Sequence, residues 1–138
     1  MPLGLKLLFF GICCQGWIGM AQEAPQSGPQ PLREIRGESL EKAAGEIPEG
    51  VISDLAGYDK AWKALGLKES PGPVDFAHEM IFLSTTRGSR ISLRLQDEGG
   101  GRLRAVAIST RDIRPGLRYL FGVFSKKDWT EINGARVP

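Results

Sequence analysis

Two cysteines serve the whole chain, and both, Cys13 and Cys14, fall within its first 21 residues. Downstream of them no disulfide, thiol nucleophile or cysteine metal site can form, so a domain there is held by its core alone. Histidine is as scarce: His78 is the single imidazole. The sequence also lacks a GxxxxGK phosphate loop, a dinucleotide fingerprint, an HExxH pair and a GxSxG elbow. These absences remove the commonest routes to nucleotide, metallohydrolase and serine-hydrolase chemistry. Charge of one sign is lacking too. The net charge of +2 decides nothing about partners, and only the distribution of charge is informative. With 138 residues, 41% hydrophobic and 25% charged, the chain has the composition of a single globular domain.

The first 21 residues read as an export signal. Lys6 adjoins an apolar run, Leu7 to Cys14, and the segment closes on Gly19, Met20 and Ala21, the small-x-small pattern cut by signal peptidase. From Leu7 to Met20 the run is shorter than the roughly 20 residues that span a bilayer, and Gln15 interrupts it. A cleaved signal is favoured, with an uncleaved anchor as the rival. The segment holds one base, Lys6, and no acid, so its removal lowers the net charge from +2 to +1. A secreted, periplasmic or cell-envelope location follows from this reading.

Residues 22–50 are expected to form a Pro/Gln-rich linker and poorly ordered lead-in, with prolines at 25, 29 and 31 favouring extension. Within it, Leu32 to Gly37 has the pattern of a short edge strand. The domain proper is expected over 51–138. Ser53 or Asp54 caps a helix whose Leu55, Tyr58, Trp62 and Leu65 make one apolar stripe, with Gly66 just beyond its end. Trp62 is in phase with that stripe and reads as a core anchor.

The stretch Pro73 to Leu95 organises the rest. It reads as a turn, a buried strand over Glu79 to Thr85, an Arg-Gly-Ser turn, and a strand in which Ile91, Leu93 and Leu95 alternate with Arg90, Ser92 and Arg94. Such alternation belongs to a sheet with one face on a core and one in water. A glycine triplet at 99–101 closes a turn into a third strand, Arg102 to Thr110, whose small apolar centre suggests burial on both faces. A fourth strand, Leu117 to Ser125, places Leu117, Tyr119, Phe121 and Val123 on one face, and Asn133-Gly134 marks a final hairpin. The expected fold is α+β: a small antiparallel sheet of about four or five strands with one amphipathic helix packed on it.

Two features bear on function. His78 lies between Asp75 and Glu79, and a carboxylate can orient an imidazole for acid/base work. No nucleophile or second metal ligand accompanies it in sequence, and Asp75 better suits capping its own turn. Between residues 87 and 118, eight arginines face three acids. Arg90 and Arg94 share a face, Arg102 and Arg104 join them from the next strand, and Arg87 sits in the turn. Guanidinium groups grip carboxylate, sulfate or phosphate, so Arg87, Arg90, Arg94, Arg102 and Arg104 are candidate partner- or anion-binding residues. A solvated face whose basic side chains discourage edge aggregation is the plainer reading. Nucleic acid is disfavoured, because no aromatics alternate with these arginines.

A tryptophan helix (Tyr58, Trp62, Leu65), a loop reaching Pro73-Val74-Asp75-Phe76, and Glu79-Met80-Ile81 entering a strand resemble the C-terminal domain of protease complex subunit PrcB. The likeness covers roughly Val51 to Phe124. Where the family has a Gly-Gly-Tyr-type stretch, this chain has Arg87-Gly88-Ser89-Arg90. The resemblance implies a non-catalytic exported domain that associates with a partner such as a surface protease complex. It implies no cofactor and no catalytic residues. Three functional readings follow: an exported, non-enzymatic accessory domain; a binder of acidic polysaccharide or another anionic polymer through the arginine face; and a small hydrolase centred on His78.

Overall fold

The computed structural model describes residues 28–40 and 46–138. The expected export segment and most of the linker lie outside the described residues. The elements run β1 (Arg33–Ser39), β2 (Gly50–Ile52), α1 (Leu55–Ala64), β3 (Glu79–Thr86), β4 (Ile91–Gly99), β5 (Arg102–Ser109), β6 (Leu117–Ser125), β7 (Glu131–Ile132) and β8 (Ala135–Arg136).

The strands form two four-stranded sheets, not one. The first has the order β1-β6-β3-β2 and is antiparallel throughout; the second has the order β4-β5-β7-β8 and contains one parallel junction, β5 with β7. The α+β class stands, but the expectation of a single small antiparallel sheet is corrected on both counts. The physical reason lies in β3 and β6. Each is apolar on both sides, and a strand buried on both faces needs a cover on each. One cover is α1: Tyr58, Ala61 and Leu65 pack with Ile81, Leu83, Tyr119, Phe121 and Val123. The other is the second sheet: Met80, Phe82 and Phe124 pack with Leu103, Ala105 and Ile132. The result is three layers, helix on sheet on sheet.

Local chemistry explains the joints. Asp54 caps α1 by accepting a bond from the Gly57 N–H at 2.6 Å, which satisfies one orphan donor of the first turn. Gly66, at φ +75°, follows the helix in the left-handed conformation expected of it. Tyr58 meets the rings of Phe76 and Phe121 at 5.7 and 5.6 Å, and its hydroxyl donates to the Gly72 carbonyl at 2.7 Å. Gly122 of β6 is what lets the sheets approach: a Cβ there would stand 2.6 Å from Leu93 Cδ1. Asn133 and Gly134, at φ +51° and +82°, make the turn from β7 to β8.

Three further expectations change. The strand in the supposed lead-in, β1, pairs residue by residue with β6 from Arg33 to Ser39, so the folded unit extends N-terminal to residue 51. It is the expected edge strand, at the rim of the first sheet, with charged residues alternating with Ile35 and Gly37. Leu55 is exposed, while Ala61 is fully buried and takes its place in the helical stripe. In β5 only one face is covered: Leu103 and Ala105 are buried, whereas Val106 and Ile108 are exposed.

Candidate interaction surface

β4 and β5 present one face to the first sheet and the other to solvent. Their register sets Arg94 opposite Val106, Gln96 opposite Arg104 and Ser92 opposite Ile108. All six of these side chains point outward, because cross-strand partners share a face. Val106 and Ile108 are 46% and 43% exposed, and among the described residues no helix lies over them. The outer face of the second sheet therefore carries an aliphatic pair with Arg94 across from Val106 and Arg104 next to it along β5.

The expected arginine cluster divides. Arg94 and Arg104 are brought onto this face, with Glu98 the nearest acid to Arg104 at 3.9 Å. Arg102 lies at the far end of β5, where its Nε donates to the Gly99 carbonyl at 3.3 Å. Arg87 and Arg90 lie in the turn between β3 and β4, at the other end. Among the described residues, Arg87, Arg90, Arg94 and Arg111 form no ion pair. Among the described residues the acids of the N-terminal half contribute one ion-pair partner to the 87–118 stretch, Glu38, at 3.4 Å from Arg118 Nε.

Arg118 is of a different kind. It is buried, and it donates to the carbonyls of Arg87 (3.1 Å), Gly88 (3.2 Å) and Pro115 (2.6 Å). It anchors the β3–β4 turn to the β5–β6 loop from beneath. Asp112 does the same from the side: its Oδ1 accepts from the Ser89 N–H at 2.9 Å and the Ser89 hydroxyl at 3.1 Å. The Thr110 hydroxyl, then the Ser89 donors and the Arg114 guanidinium, hold the Asp112 carboxyl well below the usual carboxylate range. Gly88 is required at this joint, since a Cβ would stand 2.3 Å from the Thr110 carbonyl oxygen. Turn and loop thus form one braced unit that holds Arg87 and Arg90 in place. In sequence Arg118 is one of eight arginines between residues 87 and 118, and only the crossing of the two loops reveals its role.

His78 sits in an exposed turn, its Nδ1 2.8 Å from Asp75 Oδ2. Asp75 also caps that turn, accepting from the Ala77 N–H at 3.1 Å, and its carboxyl is lowered chiefly by the imidazole. Glu79 is turned away to a bidentate pair with Arg33, at 2.7 and 2.9 Å. That pairing lowers the Glu79 carboxyl and separates it from His78 chemically, although the two are neighbours in sequence.

Among the described residues no three His, Cys, Asp or Glu side chains are grouped to hold a metal ion, and no helix is long and apolar enough to cross a membrane. Comparisons with family models, curated proteins and solved structures returned no match.

Proposed function

We propose that the chain is an exported protein-interaction module that contacts its partner through the outer face of its second sheet. One observation carries the reading: Val106 and Ile108 stand uncovered beside Arg94 and Arg104, while both faces of the first sheet are packed. An aliphatic centre flanked by arginines matches the anatomy of protein interfaces, where apolar contact supplies burial and arginine supplies orientation. The partner surface is an apolar patch with a rim of carboxylates. The likeness of the Tyr58–Ile81 region to the PrcB C-terminal domain points the same way, toward an accessory domain of a secreted or surface complex such as a protease.

The second reading, an anionic polymer held by the arginines, draws on Arg87, Arg90, Arg94 and Arg111, which form no ion pair among the described residues. The two readings separate by salt and by geometry. A photo-crosslinker placed at residue 106, with a control at Lys63 on the exposed side of α1, is applied to the chain in an exporting host. A protein adduct from 106 alone, kept at about 1 M salt where the screening length is about 3 Å, supports the module. Adducts from both positions, or capture of acidic polysaccharide that salt abolishes, overturn it, the latter in favour of the polymer.

A further inference from the structure

The second sheet has an unfinished edge. Among the described residues β4 pairs with β5 on one side and with no strand on the other. In its pairing, Thr110 N–H donates to the Arg90 carbonyl, and the register sets Ile91 opposite Ser109. Antiparallel ladders alternate, so the even-numbered residues of β4 bond to β5 and the odd-numbered ones point their N–H and C=O away from it. Ile91 confirms the phase, since its carbonyl accepts from Arg36 Nη1 at 2.8 Å, from the opposite side. Beyond it, among the described residues, nothing bonds to the outward N–H and C=O of Leu93 and Leu95.

This edge borders a groove. Two hollows of about 440 and about 550 Å³ adjoin at Ser92 and follow β4 from Ser89 to Leu95. Their far wall is made by residues 28–31 and by β1 at Arg36–Glu38. Pro29 and Pro31 have no N–H, so residues 28–31 line the groove with at most two backbone donors, those of Gly28 and Gln30. With Arg36 closing one end, the open edge runs from Leu93 to the bulge at Asp97, about 17 Å at 3.3 Å per residue.

We propose that the β4 edge is a strand-docking site for an extended peptide segment bearing carboxylates, which adds to the second sheet beside Leu93 and Leu95. The charge argument selects the occupant. A strand bonded to Leu93 and Leu95 places the residue opposite Arg94 in the close, non-hydrogen-bonded position, with Cβ atoms about 4.5–5.5 Å apart. Among the described residues Arg94 has no acidic partner, and Arg90 lies on the same side. A second copy of β4 would set arginine beside arginine, whereas a strand with glutamate there is attracted. The added strand's carboxylates would also lie on the face that carries Val106 and Ile108. The inference deepens the interaction-module reading and rests on it, naming an extended acidic segment as the partner's contact.

The test uses the ¹⁵N-labelled chain and a synthetic eight-residue peptide alternating valine with glutamate. A control peptide of the same sequence carries N-methyl groups on alternate residues, which removes its ladder donors. The expected result is amide shifts centred on Leu93 and Leu95, with hydrogen exchange at both slowed about tenfold or more by the peptide. Arg94→Glu weakens binding about tenfold, and the N-methylated peptide binds no better than baseline. Arg94 is exposed, so the variant keeps the wild-type amide pattern elsewhere. Equal binding of the two peptides, shifts confined to Val106 and Ile108, or no shift at millimolar peptide overturns the proposal. The neutral variant Ile108→Ser, made with and without the crosslinker at 106, keeps the two failures apart. It weakens crosslinking through the outer face, yet leaves protection of Leu93 and Leu95 by the peptide intact, because it adds no charge beside Arg94.

Discussion

Gly88 and Asp112 show how single residues set the working end of this molecule. Gly88 is needed for space: its ideal Cβ meets backbone, the Thr110 carbonyl oxygen, which cannot swing aside as a side chain does. Gly88→Ala is expected to cost about 1–3 kcal/mol by forcing the β3–β4 turn off the β5–β6 loop. An unchanged urea midpoint would show that the joint gives way without cost. Asp112 is a matter of charge. Its carboxyl is held below its ordinary range by Thr110, Ser89 and Arg114, so the folded state favours the ionised form. That contribution is fully present above the unfolded carboxylate value of about 3.9 and is lost as pH falls through the lower folded value. Asp112→Asn should therefore be less stable than wild type at neutral pH, with the gap closing as the solution is acidified below about pH 4. Denaturant midpoints taken down the acid limb check this, and a gap independent of pH would contradict it.

Among the elements, α1 and the terminal hairpin carry structure out of proportion to their length. Tyr58 joins α1 to the first sheet through two ring contacts and one hydroxyl bond. Tyr58→Phe keeps the rings and should cost about 1 kcal/mol, since Ser70 Oγ still donates to the Gly72 carbonyl. Tyr58→Ala removes a large buried side chain and should cost about 3–5 kcal/mol. The ratio of the two in thermal melts tells packing from hydrogen bonding. The hairpin is fastened differently. Asn133 accepts from Ala105 N–H and donates to Ala105 C=O, both at 2.8 Å, so one side chain continues the ladder of β5 where β7 has ended. Asn133→Ala removes both bonds and places an alanine at positive φ. Fast hydrogen exchange at Ala105 is the expected outcome, and protection like that of wild type would show that the backbone closes the gap unaided.

For the whole molecule the decisive fact is the double cover of the first sheet. Phe124 lies on its far side, buried against the second sheet and remote from the helix. Phe124→Ala is expected to cost about 3–5 kcal/mol and to unfold both sheets together, because β6 belongs to the first sheet and packs against the second. Separate transitions by near-ultraviolet and far-ultraviolet circular dichroism would mean that the layers are independent. The exposed outer face contributes to stability in the opposite sense. Replacing Val106 and Ile108 with polar residues should leave stability within about 0.5 kcal/mol while abolishing partner contact.

Local pattern alone determined a good deal. The capped helix with its terminal glycine, the buried strand at 79–86, the alternation of Ile91, Leu93 and Leu95, the shared face of Tyr119, Phe121 and Val123, and the Asn-Gly hairpin were all legible, because each is set by neighbours within a few residues. The Asp75 cap was legible for the same reason. Tertiary structure decided the rest. The apolar run of β5 could not say which face it buries, since Val106 and Ile108 look like core until the register turns them outward. The polar alternation of β1 hid its place beside β6, where one half-buried Ile35 suffices. Arg118 is one of eight arginines in its stretch of sequence, and it becomes an internal brace only when the carbonyl of Arg87, 31 residues away, is folded back onto it. The candidate surface belongs to the same class. Its arginines were visible as residues, but the aliphatic centre and the open β4 edge exist only after two sheets stack, because stacking leaves one face and one edge without a partner.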